Sequence, residues 1–175
     1  SYSNFARIGE ASMGGKGRGL AFLDLISKRN EEFFDYDTTQ IVIPKTVVIC
    51  TDKFDEFMEK NKLYDIAYSE DLSDEEILNH FLEAKIPEDV WADLRAFVNV
   101  IDTPIAVRSS SLLEDAHYQP FAGVYSTYMV PNNKDDVKST LMKLGEAIKA
   151  VYASVYYSGS RSYMTATKNV ISREK

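Results

Sequence analysis

Pro104-Ile105-Ala106-Val107-Arg108-Ser109-Ser110-Ser111 is an apolar run that closes on an arginine and three serines. Its composition predicts a short buried strand that ends at Arg108 and runs into a polar loop. An arginine in that place projects a planar fork of donors at the end of the sheet, a shape that matches phosphate oxygens, and Ser109 adds a neutral donor. The acidic pair Glu114-Asp115 follows closely, so Arg108 can also be read as a fastening for this loop. Further on, 123–130 reads as a second strand, stopped by the turn Pro131-Asn132-Asn133. Val137, Leu141, Leu144, Ile148, Val151 and Val155 then form one stripe, which predicts a long helix over about 135–157 that ends at Gly159. The tail, 160–175, reads as a further polar helix.

Upstream of the arginine the pattern is helical. Pro87-Glu88 opens a helix with Val90, Trp91, Leu94, Phe97 and Val98 at helical spacing. Ser73-Asp74-Glu75-Glu76 fits a capping box ahead of Ile77, Leu78, Phe81 and Leu82. Thr51 or Asp52 can cap a helix that carries Phe54, Phe57 and Met58. Before it, the β-branched run 41–50 reads as a buried strand entered through Pro44. Nearer the start, Gly14-Gly15-Lys16-Gly17 precedes Leu20, Leu23 and Ile26, whose spacing suits the buried face of a helix. The expectation is an α/β (α+β) chain in which a mixed sheet carries flanking helices.

Composition bounds the function. With 175 residues and 45% apolar content, the chain can bury enough surface to fold. A net charge of -7 argues against a broad nucleic-acid footprint, which needs clustered Lys and Arg, so an anionic ligand must be held by a local basic spot. The single cysteine, Cys50, forms no internal disulfide, and no apolar run approaches a membrane span. Without a signal-peptide pattern at 1–5, a cytoplasmic location with no membrane contact is expected.

Besides Arg108, two segments can carry chemistry. In the loop 14–17, Gly14 and Gly15 let backbone amides approach a phosphate, Lys16 adds a point charge, and a following helix would add its amide end. The loop is not a Walker A motif, because Gly9 stands one place too early and Gly17 replaces the hydroxyl residue. Its plainer reading is a turn with a solvated lysine. In Phe121-Ala122-Gly123-Val124-Tyr125-Ser126-Thr127, Gly123 permits close backbone approach and Ser126 or Thr127 can donate to a phosphate; a bulged strand is the alternative.

Together, Gly-Gly-Lys-Gly, the Ile-Pro-x-Thr-Val-Val strand, Ala-Val-Arg-Ser-Ser with Glu-Asp behind it, and Phe-Ala-Gly with its threonine resemble a known family in order and spacing. This is the N-terminal nucleotide-binding domain, of ATP-grasp type, of phosphoenolpyruvate synthases, pyruvate phosphate dikinases and related antibiotic phosphotransferases. The resemblance spans about 8–175. It implies that Lys16 and Arg108 contact phosphate and that Gly123 and Thr127 belong to a phosphate-covering loop. It further implies an ATP-binding portion of a phosphotransferase, over 1–175 with a helical insert at about 52–100. The cofactors would be ATP and Mg, with metal ligands outside this chain. The partners would be phosphohistidine and acceptor-binding domains of the same parent protein.

The chain also departs from that family. Gly17 stands where relatives have asparagine, Ser110-Ser111-Leu112-Leu113 where they read Ser-Ala-Thr-Ala, and Val124 in place of glutamine. Neither His80 nor His117 matches the phosphorylated histidine, and Cys50 reads as packing. The stop after 169–172 with no closing strand reads as a truncated domain, inactive alone. Two other readings stay open: a non-catalytic nucleotide-sensing module, and an interaction domain with aromatics among Phe33, Phe34, Tyr36, Tyr156 and Tyr157 as its surface.

Overall fold

The computed structural model describes residues 5–10, 18–26, 45–112, 118–119 and 126–159. Among them, β1 (Phe5–Ile8), β2 (Arg18–Leu25) and β3 (Thr46–Ile49) come first. Four helices follow: α1 (Thr51–Lys60), α2 (Tyr64–Ala67), α3 (Asp74–Glu83) and α4 (Glu88–Val100). The chain then returns to the sheet with β4 (Ile105–Leu112), β5 (Tyr118–Gln119) and β6 (Thr127–Val130), and α5 (Val137–Ser154) comes last. The strands form one mixed sheet in the order β1-β3-β2-β4-β5, with β6 paired to β4; β1 is parallel to β3 and the other pairings are antiparallel.

The largest departure from the sequence reading is β2. The spacing of Leu20, Leu23 and Ile26 suits a helix, but the chain is extended here and pairs on both sides, with β3 and with β4. Alternation explains the outcome: Ala21 and Leu23 are fully buried, while Leu20, Phe22 and Asp24 are half-buried on the other face. Gly19 joins the buried series because a Cβ there would come within 2.8 Å of the Phe54 ring. In so short an apolar run, periodicity alone does not separate strand from helix, and two ladders of backbone hydrogen bonds decide the matter.

Smaller differences have equally local causes. β4 does not end at Arg108 but continues through the serines to Leu112, because β2 pairs with it as far as Arg18. α5 closes at Ser154 with Val155 as its cap, before Gly159. The chain turns there so that Tyr156 is buried against Phe54 and Phe81, at centroid distances of 6.4 and 6.0 Å, and Ser158 donates from its backbone to Asp74 at 2.9 Å. Burial of Tyr156 removes it from the set of surface aromatics, and Tyr157 is partly buried against the same core. Phe33, Phe34, Tyr36 and His117, the first residues of the expected strand 41–50 and the expected helix over 160–175 lie outside the described residues.

The helices meet expectation more closely. α3 carries the complete capping box, in which the Ser73 hydroxyl accepts from the Glu76 amide and the Glu76 carboxylate accepts from the Ser73 amide, both at 3.1 Å. Such a cap contributes about 1 kcal/mol. α1 starts at Thr51 with Cys50 as N-cap, so neither Thr51 nor Asp52 caps it. Asp52 instead accepts from the Glu10 amide at 2.8 Å. Gly9, at φ +84, makes the turn that brings Glu10 there, so the start of α1 fastens the chain that leads into the glycine cluster.

The core lies on one side of the sheet. Ala21 and Leu23, Val47 and Ile49, and Ile105 and Val107 face Phe54, Phe57 and Met58 of α1 and Leu144, Ile148 and Val151 of α5. α3 and α4 pack beyond, against α5, and Gly145 lets the Trp91 ring of α4 close on the α5 backbone.

Candidate functional site

The second face of the sheet holds the polar chemistry. Cross-strand partners share a face. Arg108 stands opposite Phe22 on β2 and opposite Thr127 on β6, and Phe22 stands opposite Val48. Two residues further along, Thr46, Asp24, Ala106 and Met129 form a second row across the same four strands. Thr127 is exposed and Met129 is 56% exposed, whereas their neighbour Val130 turns into the core.

Arg108 is held from two directions. Its Nε donates to Asp24 Oδ2 at 2.6 Å, and its guanidinium carbon sits 4.4 Å above the centroid of the Phe22 ring. Asp24 is itself anchored, because Thr46 donates through Oγ1 to its Oδ1 at 2.8 Å. Cation–π contact and a charge-assisted bond together define both the plane and the direction of the guanidinium fork. With its side chain 42% exposed, the arginine is ordered yet reachable from solvent. Glu114 and Asp115, the carboxylates closest in sequence, lie outside the described residues; among the described residues Asp24 is a carboxylate partner.

The other residues singled out in the sequence are placed as follows. Thr127 shares a face and a register position with Arg108, so these two come together. Ser109 turns to the helix face, where it is 6% exposed and its hydroxyl has no hydrogen-bond partner among the described residues. Gly14, Gly15, Lys16 and Gly123 lie outside the described residues. Because Arg18, directly after that glycine cluster, begins a strand, no helix starts there to aim its amides at the loop. Cys50 is buried, and burial together with the nearby Asp52 charge raises its thiol pKa, which suits packing rather than nucleophilic chemistry. His80 is exposed on α3.

Sequence reasoning missed Asp24 and Thr46. A helical reading of 18–26 places Asp24 on a solvated face, while the alternation of Gly19, Ala21 and Leu23 with Leu20, Phe22 and Asp24 was the signal that could have found it.

What can this arrangement do? An ordered, part-exposed arginine with a hydroxyl opposite, flanked by Phe22, Val48 and Met129, suits an anion attached to an apolar group. For the phosphates of a nucleotide the donor set fits. Among the described residues there is no cluster of three or more His, Cys, Asp or Glu placed to hold a metal ion, and no helix is long and apolar enough to cross a membrane.

Comparison with known proteins gives one match. A family model described as "Pyruvate phosphate dikinase, AMP/ATP-binding domain" matches residues 10–173. No curated protein and no solved structure matches significantly. Among the described residues, the matched span takes in every strand of the sheet except β1, the whole Arg108 row and the helices α1 to α5. The chain therefore belongs to the family of pyruvate phosphate dikinase AMP/ATP-binding domains.

Proposed function

We propose that this chain binds ATP on the Arg108 face of its sheet and serves a phosphotransferase that phosphorylates a histidine on a mobile domain of the same protein. Family membership supports the nucleotide-binding and phosphotransfer role. The observation that carries the site is the guanidinium of Arg108, ordered by Asp24 and Phe22 and set opposite Thr127. In this reading residues 1–175 are the N-terminal part of an ATP-binding domain, with α1 to α4 as a helical insert between β3 and β4.

The work of these residues is positioning and neutralisation. Transfer to histidine forms a bond from an imidazole nitrogen to phosphorus as the phosphorus–oxygen bond to the nucleotide breaks, and negative charge collects on the departing oxygens. Magnesium, when bound with ATP, neutralises part of that charge. Arg108 supplies a fixed positive charge with donors in one plane, Thr127 adds a hydroxyl donor, and the backbone of 14–17 with Lys16 and of Gly123 would close around the same phosphates. The Phe22 ring keeps water from the underside of the guanidinium and strengthens its interactions.

Incubating the full-length protein with magnesium and ATP labelled at the β or the γ phosphate tests the transfer. Acid-labile label from the β position, absent in the Arg108→Ala variant, is the expected result. Absence of label from both positions, in protein that still binds ATP, would overturn the transfer and leave a nucleotide-sensing module.

A further inference from the structure

We infer that Asp24, anchored by Thr46, is a positioning residue that aims Arg108 at the nucleotide phosphates. The inference rests on the phosphate-binding reading of Arg108 and adds the device that makes the arginine effective. An arginine on a sheet surface carries four rotatable bonds, and a ligand that must order them loses affinity in doing so. Here the ordering precedes the ligand.

Three observations support this role over that of an ordinary surface ion pair. First, Asp24 engages Nε, the inner donor of the guanidinium, at 2.6 Å. A carboxylate on Nε restrains rotation about the end of the side chain close to the sheet. Second, the Phe22 ring, 4.4 Å below the guanidinium carbon, fixes the remaining tilt. Third, the carboxylate does not wander, because Thr46 holds its second oxygen at 2.8 Å and Asp24 is only 25% exposed. Thr46, Asp24 and Arg108 thus form a chain of side-chain bonds across β3, β2 and β4, three neighbouring strands of the sheet. A rigid sheet positions such a chain better than a loop could.

An opposing effect sets the sign of the test. Asp24 is negative and stands beside the proposed phosphate site, so a purely electrostatic role would make its removal tighten ATP binding. A positioning role makes removal weaken it.

The experiment measures MgATP affinity of the full-length protein for the wild type, Asp24→Ala, Arg108→Ala and the double variant. It is paired with the NMR signal of the Arg108 Nε–H, assigned by its disappearance in Arg108→Lys. Asp24→Ala should weaken MgATP about tenfold, the size of one charge-assisted bond, and should move the Nε–H signal to the position of a solvated arginine. The double variant should bind no more weakly than Arg108→Ala alone, since Asp24 acts through the arginine. Unchanged or tighter binding in Asp24→Ala, an unmoved Nε–H signal, or losses that multiply in the double variant would each overturn the positioning role. If Arg108→Ala binds MgATP as the wild type does, the phosphate-binding reading itself fails. Should Asp24→Ala not fold, Thr46→Val replaces it, with a smaller loss in the same direction expected and an unchanged affinity counting against the role.

Discussion

Arg108→Ala is expected to lower the affinity of the full-length protein for MgATP at least tenfold while leaving thermal stability nearly unchanged. The size follows from a charge-assisted bond between guanidinium and phosphate, which contributes about 1.5 to 3 kcal/mol, or roughly ten- to a hundredfold in affinity. Two features make the loss selective for binding. Arg108 is 42% exposed, so its removal opens no cavity, and its part-exposed pair with Asp24, screened by solvent, contributes about 1 kcal/mol to folding. Arg108→Lys should recover only part of the affinity, because an ammonium keeps the charge but has neither the plane that rests on Phe22 nor the fork. Calorimetric titration checks the first point and a melting curve the second. A variant that binds as tightly as the wild type would remove the arginine from the site.

Phe54→Ala should have the opposite profile, a large loss of stability with no contact to the proposed ligand. Phe54 is fully buried at the centre of the interface between α1 and the sheet. Its ring meets Tyr152 edge-on at a centroid distance of 4.9 Å, stacks near Tyr156 at 6.4 Å, and covers Gly19 of β2 so closely that no side chain fits there. Truncating a buried phenylalanine costs about 3–5 kcal/mol, because the cavity collapses only in part. Against a total stability of about 5–15 kcal/mol that is a large fraction, and it should lower the urea midpoint by about 1.5–2.5 M. A shift below 0.5 M would mean that the aromatic cluster does not carry the packing of α1 on β2.

Much of this architecture was legible before any coordinates, and the exceptions share a cause. The helices α1, α3, α4 and α5 announce themselves through stripes such as Phe54, Phe57 and Met58, and through the capping box at Ser73, because local hydrogen bonds and one-sided burial leave a local record. Strands are decided by partners distant in sequence. β2 reads as helical until β3 and β4 are placed on either side of it, and the serines after Arg108 read as a loop until β2 is seen to extend alongside them. β1 and the single-turn helix α2 are too short to carry a period, and neither was anticipated.

The site divides the same way. Arg108 and Thr127 were identified from the company they keep in the chain, and the sheet puts them opposite one another. The sequence offers Arg108 the carboxylates nearest to it, Glu114 and Asp115, which lie outside the described residues; it does not offer Asp24, which binds the arginine from a strand 84 residues earlier. That relation exists only in the folded sheet. Ser109, adjacent to Arg108 in sequence, is separated from it by the pleat, which sends alternate side chains to opposite faces.

The central claim is that nucleotide binds on one particular face of the sheet, and methyl NMR during a titration of the full-length protein with MgATP reads the two faces separately. Thr127, Met129 and Val48 report from the Arg108 face; Val107, Val130 and Ile148 report from the core side. The account predicts saturable shifts in the first three methyl groups and little change in the second three. Shifts confined to the core-side methyls, or none at all under saturating MgATP, would contradict it.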